Sequence, residues 1–471
     1  MKTMNVLDAS WLFVESPEAP MQVAQLMILS LPENAEENFL SNMVQQFRKS
    51  REYYAPWNLK LRNPKLGAMV PVWVEDNDID LDYHFRHSAL PKPGGERELG
   101  ILVSRLHSHP LDFNRPLWEM HVIEGLENNR FALYTKFHHS LIDGVSGVRM
   151  IERLMSTGPT DRSRPPAWSM KPEKKTKKVK AQEAANREAP TAENALKDIL
   201  GDVSGNVKGS IGTLRELRRA FQRLLGARAS GVSALKGPFD CPKTILNGRI
   251  GQARRFATQQ YDLNQMKAIA KAADCSLNDV VLAISATALR RFLIDVNGLP
   301  SKPLTAGLPV NIRTKDDQGT GNAISFIMAS LATDIADPKM RLEAIKNSTH
   351  SAKEHLQELP KEALMQYTAM IMAPFMMQLV YGMGGRMKSV FNLTISNIPG
   401  PKETLYYHGA KLEASFPISL IPHGQALNIT CLSYADTLNF GFTGDRDSLP
   451  SMQNIAVYTG EALTELAEIY L

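Results

Sequence analysis

The run "FALYTKFHHSLIDGVSG", residues 131–147, sets His138 and His139 side by side at the end of an alternating apolar segment, with Asp143 four residues beyond. Imidazole suits proton transfer because its unperturbed pKa, about 6.5, leaves both the neutral base and the cationic acid accessible near neutrality. The same residues could also belong to a metal site, a hydrolytic triad or plain packing, and strand alternation helps to choose. If residues 131–139 form one strand, Phe131, Leu133, Thr135, Phe137 and His139 share one face, while Ala132, Tyr134, Lys136 and His138 share the other. The two histidines then diverge.

Diverging neighbours cannot readily chelate one ion, and neither a histidine at helical spacing nor a cysteine pair follows, so no metal is expected. His107, His109 and His121 could contribute only through tertiary proximity. The nucleophile elbow Gly-x-Ser-x-Gly is also missing: "GVSGV" (144–148) has Gly147 where the variable residue belongs and Val148 where the second glycine belongs. Ser140 adjoins His139 in sequence, and alternation directs it away from that ring. Two readings remain, His139 as a general base or as a packed core histidine. The adjacent pair, Asp143 and the Asp-Gly step into "GVSGVRMIERLM" make a tight constellation, and both readings stay open on these residues alone. Asp143 is placed to cap that helix or to brace the loop that holds His139, and Gly144 permits the tight turn.

These residues need a scaffold, and the flanking sequence supplies one. "PLWEMHVIEG" and "RFALYTKFHHS" on either side of "LENN" predict an antiparallel hairpin. Residues 1–156 read as mixed α/β, with "VAQLMILSL" extended and "ENFLSNMVQQFRK" helical. Residues 157–235 form a basic linker, first rich in Pro, Lys, Glu and Ala and then carrying "IGTLRELRRAFQRLLGARA". There Ile211, Leu214, Leu217, Phe221, Leu224 and Leu225 recur at helical spacing among arginines, an amphipathic helix that packs on its own domain or on a lipid surface. From 236 to 471 a second α/β region follows: a helix in "SLNDVVLAISATALRRFLIDV", a strand in "LTAGLPVNIR" and a hairpin in "LNITCLSYADTLNFGFTGD". A chain of 471 residues exceeds the size at which one core usually splits, so two α/β halves are expected.

Composition narrows the function classes. With 43% hydrophobic and 22% charged residues the chain is ordinary globular material, and its 21 Met suggest adaptable apolar surfaces. The net charge is +5, and "KPEKKTKKVK" (171–180) alone accounts for all of it, so the broad basic face of a nucleic-acid binder is lacking. A local polybasic segment fits a solvated linker or an anionic membrane surface. Three dispersed cysteines, Cys241, Cys275 and Cys431, argue for a reducing cytoplasm, and no secretory signal is read at the start. The uncharged stretch 363–385 is nearly long enough to span a bilayer. Pro374, Gln366 and Gln378 interrupt or dilute it, so a buried helix pair or an acyl-contacting surface is expected instead.

"HHSLIDG" (138–144) resembles the His-His-x-x-x-Asp-Gly motif of chloramphenicol acetyltransferases, carnitine acyltransferases and peptide-synthetase condensation domains. Within that superfamily the chain most resembles the bacterial bifunctional wax ester synthase/diacylglycerol acyltransferases, through "LDASWLFVESPEAPMQVAQL", "RPLWEMHVIEGL", "NDVVLAISATALRRFL", "GLPVNIR" and "NLTISNIPGP". The resemblance spans both halves and leaves mainly the linker unmatched. It implies an α/β fold of two chloramphenicol-acetyltransferase-like domains, with mixed sheets flanked by helices, facing each other across a central tunnel. It implies His139 as catalytic base, His138 as its support and Asp143 as a structural residue paired with an arginine, for which Arg313 is the candidate. Asn278 would order the site or stabilise the oxyanion.

The implied reaction transfers an acyl group from acyl-CoA, a co-substrate rather than a cofactor, to a long-chain fatty alcohol or to diacylglycerol. The implied location is cytoplasmic, peripheral to the membrane's inner face or to lipid inclusions. Two alternatives stay open: a relative with an amine or carrier-bound acceptor, and a non-catalytic protein that coats lipid droplets or membranes.

Overall fold

The computed structural model describes residues 2–4, 6–64, 71–142, 144–172, 235–311, 324–359 and 361–471. Asp143, Arg313, most of the polybasic run and the amphipathic segment of the linker lie outside the described residues. In chain order the first half contains α1 (Val6–Phe13), β1 (Gln22–Ser30), α2 (Phe39–Lys49), β2 (Phe85–Ala89), α3 (Glu96–Ser108), β3 (Trp118–Leu126), β4 (Arg130–His138) and α4 (Gly144–Leu154). The second half opens with β5 (Arg254–Asp262), α5 (Leu263–Ala272), α6 (Leu277–Asp295), β6 (Thr305–Asn311), β7 (Ile324–Ser330), α7 (Pro338–Gln357) and α8 (Lys361–Val380). It ends with β8 (Leu393–Ile398), β9 (Tyr406–Tyr407), β10 (Ala410–Ile418), β11 (Leu427–Tyr434), β12 (Thr437–Asp445) and α9 (Gln453–Tyr470).

Two six-stranded mixed sheets organise these elements. The first runs β9-β10-β1-β4-β3-β2 and the second β7-β6-β8-β11-β12-β5. The expected hairpin is present, with β3 and β4 antiparallel and Trp118 opposite Phe137. Alternation along β4 also holds, because Phe131, Leu133 and Phe137 enter one core cluster while Ala132 and Tyr134 enter another on the reverse face. A central strand covered on both faces has no solvent side, which is why β4 is buried at eight of its nine positions.

The first sheet is not built from the first half alone. Strand β10 pairs antiparallel with β1, Phe416 opposite Leu26, so the second half donates a strand across the linker. The two sheets also touch where Gly441 of β12 meets β10, since a Cβ there would fall 1.8 Å from the Pro417 carbonyl oxygen. Only glycine allows that backbone approach. On the other side, Ser104 and Ser108 of α3 accept hydrogen bonds from the backbone N–H groups of Phe256 and Arg254, satisfying the edge of β5.

Local sequence explains the helix ends. Ser276 and Asp279 form the capping box that starts α6, with Ser276 Oγ also 2.6 Å from Asp279. The stretch 363–385 differs from the expected broken pair: α8 runs through Pro374 as one helix. Proline removes one donor there, and packing of Tyr367, Ile371 and Leu379 into the second-half core, with Phe375 against Phe391, holds the helix together. Among the described residues no helix is long and apolar enough to cross a membrane.

On the reverse face of β4 lies a buried ionic group. Lys136, fully buried, donates to Glu119 at 3.1 Å and to the carbonyls of Leu106 and His109 at the end of α3. Burial alone would raise the Glu119 pKa, but His121, Lys136 and Arg86 outweigh it and hold the carboxyl at about 2. Burial lowers the Lys136 pKa against the pull of Glu119. The pair therefore matters most when one partner is removed. Lys136→Met is expected to destabilise the fold by about 2–4 kcal/mol, because Glu119 stays charged in the interior with only His121 and the more distant Arg86 beside it, and Glu119→Gln in the same chain should recover much of that loss. Chemical denaturation of the two variants measures both effects.

Candidate active site

His139 follows β4 directly, and its backbone N–H donates to the Met21 carbonyl at 2.9 Å, which continues the β1–β4 ladder by one residue. The extended backbone at this point sends the two histidine rings to opposite faces. His138 is buried and His139 is partly exposed.

The His138 ring is fully engaged. Its Nδ1 accepts from the Ser140 backbone N–H at 3.1 Å and lies 2.6 Å from Ser140 Oγ, while Nε2 is 2.7 Å from Glu15 Oε2. A backbone N–H can only donate, so Nδ1 is an acceptor and the ring proton sits on Nε2, facing the carboxylate. The same Glu15 oxygen accepts from the Met21 N–H at 3.0 Å. Phe113 closes over the His138 ring edge-on at 5.7 Å between centroids. His138 is thus a fastener that ties the end of β4 to the segment between α1 and β1.

His139 meets a different partner from that same segment. The Trp11 ring lies against its imidazole, centroids 4.4 Å apart at a tilt of 38°. Trp11 also packs on the second-half core, in which Val14, Ala19 and Met21 are members. Residues 11–21 therefore form the seam between the halves. Two contacts from the second half pin it: Arg254 Nη2 donates to the Glu18 carbonyl at 2.6 Å, and His423 Nε2 lies 3.5 Å from Ser16 Oγ. Arg254 is itself buried beside Asp445, and burial brings its pKa down to about 10.

The other sequence candidates distribute unevenly. Ser140 joins the site through His138 and is buried there. Gly144 begins α4, while Asp143 and Arg313 lie outside the described residues. Asn278 sits in the first turn of α6, partly buried, and no described hydrogen bond or ring contact links it to His138 or His139. Glu15 and Trp11 were not singled out by sequence reasoning. Both lie in "LDASWLFVESPEAP", a stretch that carried the family resemblance but gave neither residue a role of its own. Among the described residues no group of three His, Cys, Asp or Glu side chains is placed to hold a metal ion.

Removing the Glu15 carboxylate frees both the His138 ring and the Met21 amide. Glu15→Ala is expected to lower turnover about tenfold or more, in line with the roughly 1.5–3 kcal/mol of a hydrogen bond to a charged group. Steady-state rates alongside a thermal melt will show whether the seam needs this anchor, and parental turnover would show that it does not.

The wax ester synthase/diacylglycerol acyltransferase catalytic-domain model matches residues 4–281, and the corresponding C-terminal-domain model matches residues 320–467. A putative diacylglycerol O-acyltransferase of Mycobacterium tuberculosis is 45% identical, with 98% of this chain and 96% of that protein covered. The O-acyltransferase WSD of Acinetobacter baylyi is 39% identical over the same shares of the two chains. The solved wax ester synthase/diacylglycerol acyltransferase of Marinobacter aquaeolei VT8 superposes with a TM-score of 0.78 at 36% identity, covering all of both chains. A starter condensation domain of rhizomide synthetase, at 13% identity and a TM-score of 0.54 over 100% of this chain and 94% of that one, shares the fold. By the match of the catalytic-domain model and by relatives aligned over nearly its whole length, the chain belongs to the wax ester synthase/diacylglycerol acyltransferase family of O-acyltransferases.

Proposed function

We infer that the protein transfers acyl groups from acyl-CoA to the hydroxyl of a long-chain alcohol or of diacylglycerol, with His139 as general base. The observation that carries this reading is the division of labour between the histidines: His138 is engaged at both ring nitrogens, while His139 emerges at the seam with its ring plane set by Trp11. His139 takes the proton as the hydroxyl oxygen attacks the thioester carbonyl. The tetrahedral intermediate then collapses, the carbon–sulfur bond breaks, and the imidazolium returns its proton to the departing CoA thiolate. No covalent acyl-enzyme is needed. The Trp11 ring beside the base covers one side of it, where water would otherwise compete and hydrolyse the thioester.

Two further roles belong to this reading. Asp143 and Arg313 hold the loop that follows His139, and Asn278 orders the site or meets the oxyanion. The acidic and basic partners act on the fold rather than on the substrate, so Arg313→Ala should unfold at lower denaturant than the parent. Equal stability would remove the pairing. Association with a membrane or lipid inclusion, at the cytoplasmic face, would bring the apolar substrates to the site. The polybasic linker supports this through attraction to anionic lipid.

One specific observation favours a second reading. Ser140 Oγ, His138 and Glu15 are connected as nucleophile, base and orienting acid are in covalent catalysis. The burial of Ser140, at 3% exposure, and the donation of its own backbone N–H to the same ring nitrogen make it a local turn instead. The two readings separate in one experiment. His139→Ala should abolish CoA release with hexadecanol and diacylglycerol by a factor of about 100 or more, whereas Ser140→Ala should retain most of it. Loss in the serine variant with survival in the histidine variant would reverse the assignment, and turnover with amines alone would remove the ester-forming one.

A further inference from the structure

The C-terminal half of α8 carries a face that the described fold leaves open. Tyr367, Ile371, Phe375 and Leu379 turn one side of the helix to the second-half core. On the opposite side Ala373, Met377 and Tyr381 recur every four residues, and the Tyr381 N–H extends the helical spacing by donating to the Met377 carbonyl at 3.0 Å. Met377 is 39% exposed and Tyr381 60%, and Met387 in the loop that follows is 55% exposed. The described residues expose eleven large apolar side chains, and three of them fall within residues 377–387, which makes a patch rather than a scatter. An ordinary solvated helix face would bear charge, and residues 363–385 bear none.

The face is held rigidly. Gln378, buried, donates from Nε2 to the Lys388 carbonyl at 2.7 Å and closes the loop between them. Gly384 presses on the His423 carbonyl, where a Cβ would lie at 2.3 Å, and Gly385, at φ +72°, lies against the backbone of Gly248 and Arg249. Arg249 in turn donates to the Gly382 carbonyl at 3.3 Å. His423 then reaches the seam, 3.5 Å from Ser16 and 4.0 Å from Glu18. The patch is thereby fixed beside the segment 11–21.

Its rim is basic. Arg249, Arg386 and Lys388 are exposed around the loop, and among the described residues neither Arg386 nor Lys388 makes an ion pair. Exposed apolar side chains that include a tyrosine, bordered by unneutralised cations, suit a membrane interface: ring and thioethers enter the headgroup boundary and the cations meet lipid phosphate.

We propose that this face docks the protein on an anionic lipid surface, with Met377, Tyr381 and Met387 inserting and Arg249, Arg386 and Lys388 meeting the headgroups. The inference rests on the membrane-association reading above, and it gives that reading a folded surface in addition to the polybasic linker. It also sets the seam against the phase from which apolar substrates come. Charge decides against other occupants. A second copy of the chain would bring one basic rim to another, and the arginine-rich stretch 211–229 carries the same sign.

The test uses the full chain and co-sedimentation with vesicles of equal parts phosphatidylcholine and phosphatidylglycerol, or of phosphatidylcholine alone. Met377→Glu and Tyr381→Glu, at positions already in solvent, should each lower the partition coefficient on anionic vesicles about tenfold. Arg386→Gln combined with Lys388→Gln should cost about tenfold or more on anionic vesicles and little on neutral ones. Val457→Glu, at a position 51% exposed on α9, a helix packed on α5 and α6, should bind as the parent does. With the six lysines of 171–180 replaced by glutamine, the binding that remains should still respond to Tyr381→Glu. Face variants that melt and bind as the parent does overturn the proposal and leave association to the linker. A parent that sediments with neither vesicle overturns the association reading as well.

A polarity-sensitive dye on Tyr381→Cys, in a Cys275→Ser background because Cys241 and Cys431 are buried, gives a second readout. Its emission should move to the blue when anionic vesicles are added. Emission already blue without vesicles would show the face covered by the chain's own linker or by a second copy, and would overturn the proposal.

Discussion

The period of two along β4 is the constraint on which the site depends. Because neighbouring side chains on a strand point apart, one step of sequence separates a histidine that fastens the fold from one that faces the seam. His138 turns to Glu15 and Ser140, with Lys136 on the same reverse face, while His139 shares its face with Phe137 and Thr135. A one-residue slip in the pairing of β4 with β1 would exchange these roles, placing a ring held at both nitrogens at the seam. Register is protected accordingly. Strand β4 is central, paired along its length with β1 on one side and β3 on the other, and the Trp118 indole at its flank is fully buried and hydrogen-bonded to the Trp57 carbonyl.

Much of this was legible in the sequence because it is local. Apolar alternation gave the β3–β4 hairpin and the faces of its residues, Ser276 and Asp279 marked the start of α6 by their spacing, and "HHSLIDG" carried the resemblance to the acyltransferase superfamily. What stayed illegible is non-local. Glu15 meets His138 across 123 positions, and nothing in the periodicity of either segment announces the pairing. The insertion of β10 beside β1 is of the same kind. Pro374 shows the opposite error, a local rule overridden by packing, since α8 continues through it.

The site sits where both halves contribute. Trp11 touches His139 with one side of its ring and belongs with the second-half core through the rest of its segment, and Arg254 reaches from the second half to the Glu18 carbonyl. A histidine held at such a seam is positioned by contacts that neither half completes. Residues 11–21, the α3 serines on the edge of β5 and Gly441, with its backbone against Pro417, together limit how far the sheets can slide before atoms collide.

The strand that β10 lends to the first sheet also bears on how the chain is made. Residues 22–30 leave the ribosome long before residues 410–418, and until the later segment arrives β1 has an open edge on the strand that pairs with β4. The first half is thus a sheet waiting for a partner nearly 400 positions downstream, with the high contact order that slows folding and the unpaired edge that invites association. Cutting the chain in the linker would not yield two proteins. It would yield one incomplete sheet, and a second half whose own sheet is whole but whose β9 and β10 lack their partner, which ties assembly of the first sheet to arrival of the second half.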